Sequence, residues 1–63
     1  MEHNFVFNIR QKIGGIILEV TAEGTSLFIN EFHDNYNMDE LNEEGISNAF
    51  LRLQKRLENE LAR

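Results

Sequence analysis

The sequence predicts an α+β fold, in which a three-stranded antiparallel β-meander is followed by one long C-terminal α-helix packed on one face of the sheet (βββα). Three observations predict it: apolar and polar residues alternate over 5–10, a strand-like run fills 16–22 between two glycine-containing turns, and apolar residues recur at helical spacing after residue 46. We expect a single small domain over 1–63, with strands at about 4–13, 16–22 and 25–32, an acidic loop at 33–41 and a helix at about 43–62.

The first strand is predicted to have one apolar side. Phe5, Phe7 and Ile9 fall on that side, and Val6, Asn8 and Arg10 fall on the other. A period of two is typical of a half-buried strand.

The turn after this strand determines its pairing. If Gly14-Gly15 forms a two-residue type I′ turn, Arg10 faces Glu19 in a favourable pair on the outer side, and we prefer this register. A wider loop over 11–14, which sets Ile9 against Ile16, is the open alternative.

The second hairpin is predicted to turn at Glu23-Gly24. That register pairs Ala22 with Thr25, Val20 with Leu27, and Leu18 with Ile29. These residues share one face, whereas Ile17, Phe28 and Phe32 share the other. The second face therefore carries more apolar surface than a solvated face usually does.

The helix is predicted to begin after Asn42 as N-cap, because Glu43 and Glu44 then lie in the first turn and Leu41 can contact Ile46 in a hydrophobic staple. A start at Asn37, with Glu40 completing a capping box, is the open alternative and could form a separate short helix. The apolar stripe consists of Ile46, Ala49, Phe50, Leu53, Leu57 and Leu61. At 1.5 Å per residue the helix is about 30 Å long, enough to cross all three strands.

Composition excludes several classes of protein. The chain contains no Cys, which rules out disulfides and thiolate zinc sites, and it has no apolar run that could span a bilayer and no signal-peptide pattern. We therefore expect a cytoplasmic protein without membrane contact. The net charge is −5, and no Lys or Arg lies between Ile13 and Leu51, which argues against direct binding of nucleic acid.

The first candidate site is a run of carboxylates around the loop. It comprises Glu31, Asp34, Asp39, Glu40, Glu43 and Glu44. Such a patch can occupy an Arg/Lys-rich groove on a protein partner, and the competing interpretation is a solvated loop followed by a helix N-terminus that favours acids.

The second candidate site is the outer apolar face of the sheet. It comprises Val6, Ile17, Phe28 and Phe32, with Leu51 added from the helix because that residue lies off the apolar stripe. Exposed apolar patches often mark protein contacts, so we expect self-association through this face or through helix packing, most simply as a homodimer. The competing interpretation is that the strand register or the helix placement differs, or that Phe32 turns inward past the strand end.

Catalytic, metal and cofactor sites are not expected. His3, His33, Asp34 and Asp39 form no recognised ligand spacing, and Gly14-Gly15 belongs to neither phosphate-binding glycine motif. A chain this short also has little volume for a desolvated active site.

The sequence thus favours a non-enzymatic, acidic protein-interaction module. In its small size, acid excess and lack of cysteine it is similar to small inhibitor proteins carried by phages and other mobile elements. That resemblance implies a protein that binds and blocks a host nucleic-acid-binding protein or nuclease, including a CRISPR effector. The alternative is a homodimeric structural or assembly accessory protein that uses the outer apolar face.

Overall fold

The computed structural model describes residues 4–34 and 42–63. It contains three strands, β1 (Phe5–Lys12), β2 (Gly15–Ala22) and β3 (Phe28–Asp34), and one helix, α1 (Glu43–Leu61). The strands form an antiparallel sheet in the order β1-β2-β3, and α1 packs on one face. The predicted βββα fold is confirmed.

The first hairpin turns one residue earlier than predicted. Lys12 pairs with Gly15, so the turn residues are Ile13 and Gly14, and neither of the two proposed registers is correct. Gly14 has a φ of 88°, and within residues 4–34 and 42–63 no residue other than glycine has a positive φ. A type I′ turn needs positive φ at both central residues, whereas this pattern is that of a type II turn.

Gly15 is the first residue of β2, and the neighbouring strand β3 approaches it so closely that there is no room for a side chain. A Cβ at this position would overlap the backbone oxygen of His33 and would lie 2.9 Å from Phe32 Cζ. The close approach of β3 is therefore possible only where β2 has a glycine.

The second hairpin has a longer loop than the predicted turn at Glu23-Gly24. Ala22 N donates to Leu27 O at 3.1 Å, which leaves residues 23–26 as the loop. Thr25 Oγ1 donates to Ala22 O at 2.9 Å and accepts from Leu27 N at 3.1 Å. The hydroxyl therefore satisfies backbone groups inside the loop, and β3 begins at Phe28 instead of 25.

Both register errors amount to two residues, so they leave every side chain on its predicted face. Val20 now pairs with Phe7 and Ile29, and Leu18 pairs with Ile9 and Glu31. The predicted contact of Arg10 with Glu19 forms diagonally, with the guanidinium nitrogen 3.3 Å from the carboxylate.

The predicted start of α1 is confirmed. Asn42 Oδ1 accepts a hydrogen bond from Gly45 N at 2.8 Å, and Glu43 and Glu44 occupy the first turn. These acids favour the positive end of the helix dipole. The staple residue Leu41 and the alternative start at 37–40 lie outside the described residues.

The buried core joins β2 to α1. Leu18, Val20 and Ala22 from β2 pack with Ala49, Leu53 and Leu57 from the helix, all at most 3% exposed. The rest of the predicted stripe, Ile46, Phe50 and Leu61, packs partly buried against this cluster. The core forms because the even-numbered residues of β2 and the apolar stripe of α1 are both continuous.

The helix is long enough to cross all three strands, but it covers β2 and β3 more fully than β1. The helix packs over β2 and β3, and it approaches β1 at the edge-on contact between Phe7 and Phe50, whose ring centroids are 5.1 Å apart. Phe7 and Ile9, which lie on the predicted apolar side of β1, are 46% and 48% exposed. One margin of the helix-side face is therefore left uncovered by the described residues.

Candidate interaction surfaces

The acidic candidate residues divide into groups with different surroundings. Glu43 and Glu44 are exposed in the first turn of α1, and Asp34 ends β3 in a partly buried position. Asp39 and Glu40 lie outside the described residues. The remaining member, Glu31, points to the helix side of the sheet because it pairs with the buried Leu18.

Glu31 is the centre of a charge cluster between β3 and α1, formed with His33, Arg52 and Arg56. Arg52 donates a hydrogen bond to Glu31 Oε1, and Arg56 Nη1 lies 3.8 Å from Glu31 Oε2. His33 Nε2 lies 2.7 Å from Glu31 Oε1, but its orientation does not meet hydrogen-bond geometry. The carboxylate is thus compensated inside the molecule.

The ion pairs of the charge cluster also connect α1 to β3 of the sheet. Arg52 and Arg56 are four residues apart and therefore lie on one side of the helix, toward β3. The side chain of Glu31 lies beside the helix and is 26% exposed. Arg52 and Arg56 both form ion pairs with its carboxylate. The sequence could have indicated this cluster, because alternate residues of a strand share one face. Ile29, Glu31 and His33 are such residues, and they all lie on the helix side.

The outer face of the sheet carries the predicted apolar residues in two separate rows. Val6 and Phe28 flank Thr21 in one row, and Ile17 and Phe32 are neighbours in another. Between these rows the strands place Asn8, Glu19 and Asn30. Val6, Phe28 and Phe32 are each at least half exposed, so apolar surface is present but is interrupted by a polar row.

Leu51 does not join the outer face. It belongs to α1, which packs on the opposite face of the sheet, and it is 63% exposed. Phe32 makes additional contacts near the first turn, where Lys12 Nζ lies 5.9 Å from its ring centroid and the ring covers Gly15. The aromatic ring therefore has a structural role in addition to any contact with a partner.

The sequence reasoning missed an exposed apolar margin on the helix side of β1. Phe7 and Ile9 are nearly half exposed there, and Ile13 at the adjacent turn is fully exposed. The spacing of the strand predicted which side these residues occupy, but it could not show how far α1 would extend across the sheet.

The described residues contain no metal-binding cluster and no membrane-spanning helix. Within residues 4–34 and 42–63, no three His, Asp or Glu side chains are grouped so that they could hold a metal ion. In the same part of the chain, no helix has the length and apolar character needed to cross a bilayer.

Comparison with protein families, with curated proteins and with solved structures finds no match to this chain.

Proposed function

We propose that this protein is a non-enzymatic interaction module whose acidic surface binds and blocks a nucleic-acid-binding protein or nuclease. In this proposal the partner is a host protein of the kind that phage and mobile-element inhibitors target, with CRISPR effectors among the candidates. The basic groove of the partner normally holds the phosphates of nucleic acid. In the proposed complex, the carboxylates of the module occupy that groove in place of the phosphates.

The observation that carries the proposal is the unequal use of charges within the molecule. Every arginine pairs with a glutamate: Arg10 with Glu19, Arg52 and Arg56 with Glu31, and Arg63 with Glu60. Among the described residues no cation pairs with Glu43 or Glu44. The excess negative charge is therefore available at the N-terminus of α1, next to the segment that contains Asp39 and Glu40.

The proposed role divides the predicted acidic set. Glu43 and Glu44, with Asp39 and Glu40, are the residues proposed to contact the partner. Asp34 precedes this segment in sequence, at the end of β3. Glu31 contributes less in this proposal because its charge is compensated by two arginines. Long-range attraction speeds encounter with a basic surface and weakens as salt screens it.

A capture experiment tests the proposal. The immobilised chain is exposed to host extract at low and at high salt, beside a variant that carries Asp39→Asn, Glu40→Gln, Glu43→Gln and Glu44→Gln. We expect a protein that is retained by the native chain at low salt, lost at high salt, not retained by the variant, and displaced by added duplex DNA. Equal retention by the two chains contradicts an acidic contact.

The control for this experiment is Glu58→Gln with Glu60→Gln, which removes two exposed acids from the other end of α1. This variant keeps the acids at the start of the helix. It should retain the same partner, because the proposed contact depends on where the charge lies as well as on how much there is.

A second candidate function is that of a homodimeric assembly protein that uses the outer face, and the exposure of Val6, Phe28 and Phe32 favours it. The variant Phe28→Lys should then abolish self-association. The variant with the four acid substitutions of the capture experiment should leave self-association unchanged. Sedimentation velocity distinguishes these results, and an unchanged dimer in Phe28→Lys contradicts this candidate.

A further inference from the structure

The free side of β1 is defined by the hydrogen-bond pattern of the first hairpin. Glu23 N donates to Asn4 O at 2.8 Å, and this pair continues the register in which Val6 faces Thr21. Because residues of an antiparallel pair alternate in the direction of their backbone groups, the even-numbered residues of β1 bond to β2. The odd-numbered residues of β1 therefore direct their N–H and C=O groups away from β2, where no described strand meets them. These residues are Phe5, Phe7, Ile9 and Gln11.

The same residues carry uncovered side chains. Phe7 and Ile9 face the helix side of the sheet, next to the buried core, but α1 reaches Phe7 only at its contact with Phe50. None of the four residues with free backbone groups is charged. An extended strand added at this edge would pair the backbone and cover apolar side chains together.

The other edge of the sheet has a different character. On the helix side, β3 carries Glu31 and His33, and Glu31 is held by arginines of the helix. Charged residues that point inward at an edge strand discourage pairing with another strand. The two edges are therefore unequal, and β1 is the one suited to pairing.

We propose that β1 pairs edge to edge with β1 of a second copy of this chain, forming a continuous six-stranded sheet across a two-fold axis. The occupant is another copy because antiparallel β1 is complementary to itself. With Asn8 near the axis, Phe7 of one copy faces Ile9 of the other, and every free backbone group in this stretch obtains a partner.

Charge supports the antiparallel orientation. Arg10 and Lys12 both lie in the last part of β1, so a parallel arrangement would bring like charges together. In the antiparallel arrangement they lie at opposite ends of the interface. A chain of 63 residues, near the lower size limit for a domain without disulfides or metal, also gains stability from such association.

Chemical synthesis of the full chain allows a direct test with single backbone N-methyl groups. N-methylation of Ile9 removes a donor on the free side of β1 and leaves the pairing with β2 intact. N-methylation of Asn30 is the matched control, since Ala22 N bonds to Leu27 O and Asn30 therefore directs its N–H to the free side of β3. Far-UV circular dichroism compares the folds, and sedimentation equilibrium gives the masses.

The unmodified chain should have twice the monomer mass of 7.4 kDa. N-methyl-Ile9 should weaken self-association by more than about tenfold, and N-methyl-Asn30 should leave it unchanged. A native chain that stays monomeric, including one that takes a strand from a different protein, overturns the proposal. Loss of the dimer in both modified chains, in neither, or in N-methyl-Asn30 alone also overturns it.

Discussion

At the scale of single residues, Gly15 determines how closely β3 approaches β2. The substitution Gly15→Ala should lower the free energy of unfolding by about 1–3 kcal/mol, because the added Cβ overlaps His33 O and lies 2.9 Å from Phe32 Cζ. Urea unfolding measures the change. Gly14→Asn is the control: a Cβ at this position has no atom within 4 Å, and Asn adopts the positive φ of 88° more readily than most residues with a side chain. Equal losses in the two variants would show that β3 does not depend on this close approach.

Glu31 tests whether the charge cluster fastens the helix to the sheet. Glu31→Gln removes the pairs with Arg52 and Arg56 and should lower the free energy of unfolding by about 1 kcal/mol, with a smaller loss at high salt. Glu60→Gln is the control, since its pair with Arg63 spans 3.8 Å between exposed side chains. That change should cost no more than a few tenths of a kcal/mol. Equal effects would contradict a structural role for Glu31.

At the scale of elements, α1 was predictable because its signals are local. The N-cap Asn42 and the apolar stripe are both read from residues a few positions apart, and the structure has both. The strand faces were predictable for the same reason, since alternation needs no knowledge of a partner.

The strand registers were not predictable because they depend on contacts between distant residues. Nothing near Gly14-Gly15 shows which glycine forms the turn; the choice depends on β3, whose Phe32 covers Gly15. Likewise, the loop at 23–26 is set by hydrogen bonds of the Thr25 hydroxyl, which the prediction of a two-residue turn left out.

The two leucines at positions 51 and 53 test the orientation of α1. Leu53 is fully buried, so Leu53→Ala should cost about 2–5 kcal/mol, enough to unfold a domain of this size. Leu51 is exposed, so Leu51→Ala should change stability by less than about 0.5 kcal/mol. Thermal unfolding followed by circular dichroism compares them. A large loss in Leu51→Ala would show that this leucine is covered by another copy or partner.

At the scale of the whole molecule, the sequence predicted which residues share the outer face but not how continuous that face is. In the observed strand register, a polar row that contains Glu19 lies between two apolar rows. One apolar row holds Val6 and Phe28, and the other holds Ile17 and Phe32. The uncovered margin at Phe7 and Ile9 depends on where α1 lies over the sheet, a tertiary property that no local pattern encodes.

The acidic surface and the free edge of β1 lie on different elements and can act together. Pairing through β1 leaves Glu43 and Glu44 of each copy exposed at the start of α1. A two-fold dimer would then present its acidic surface twice, which strengthens binding to a partner with two basic sites if the geometry allows simultaneous contact.

The central claim is that the acidic surface displaces nucleic acid from a basic partner. The most direct measurement is the fluorescence anisotropy of a labelled duplex bound to the captured partner while the chain is added. We expect the native chain to release the duplex, and the variant with Asp39→Asn, Glu40→Gln, Glu43→Gln and Glu44→Gln to release much less. A duplex that stays bound at saturating native chain, or that both chains release equally, would contradict the claim.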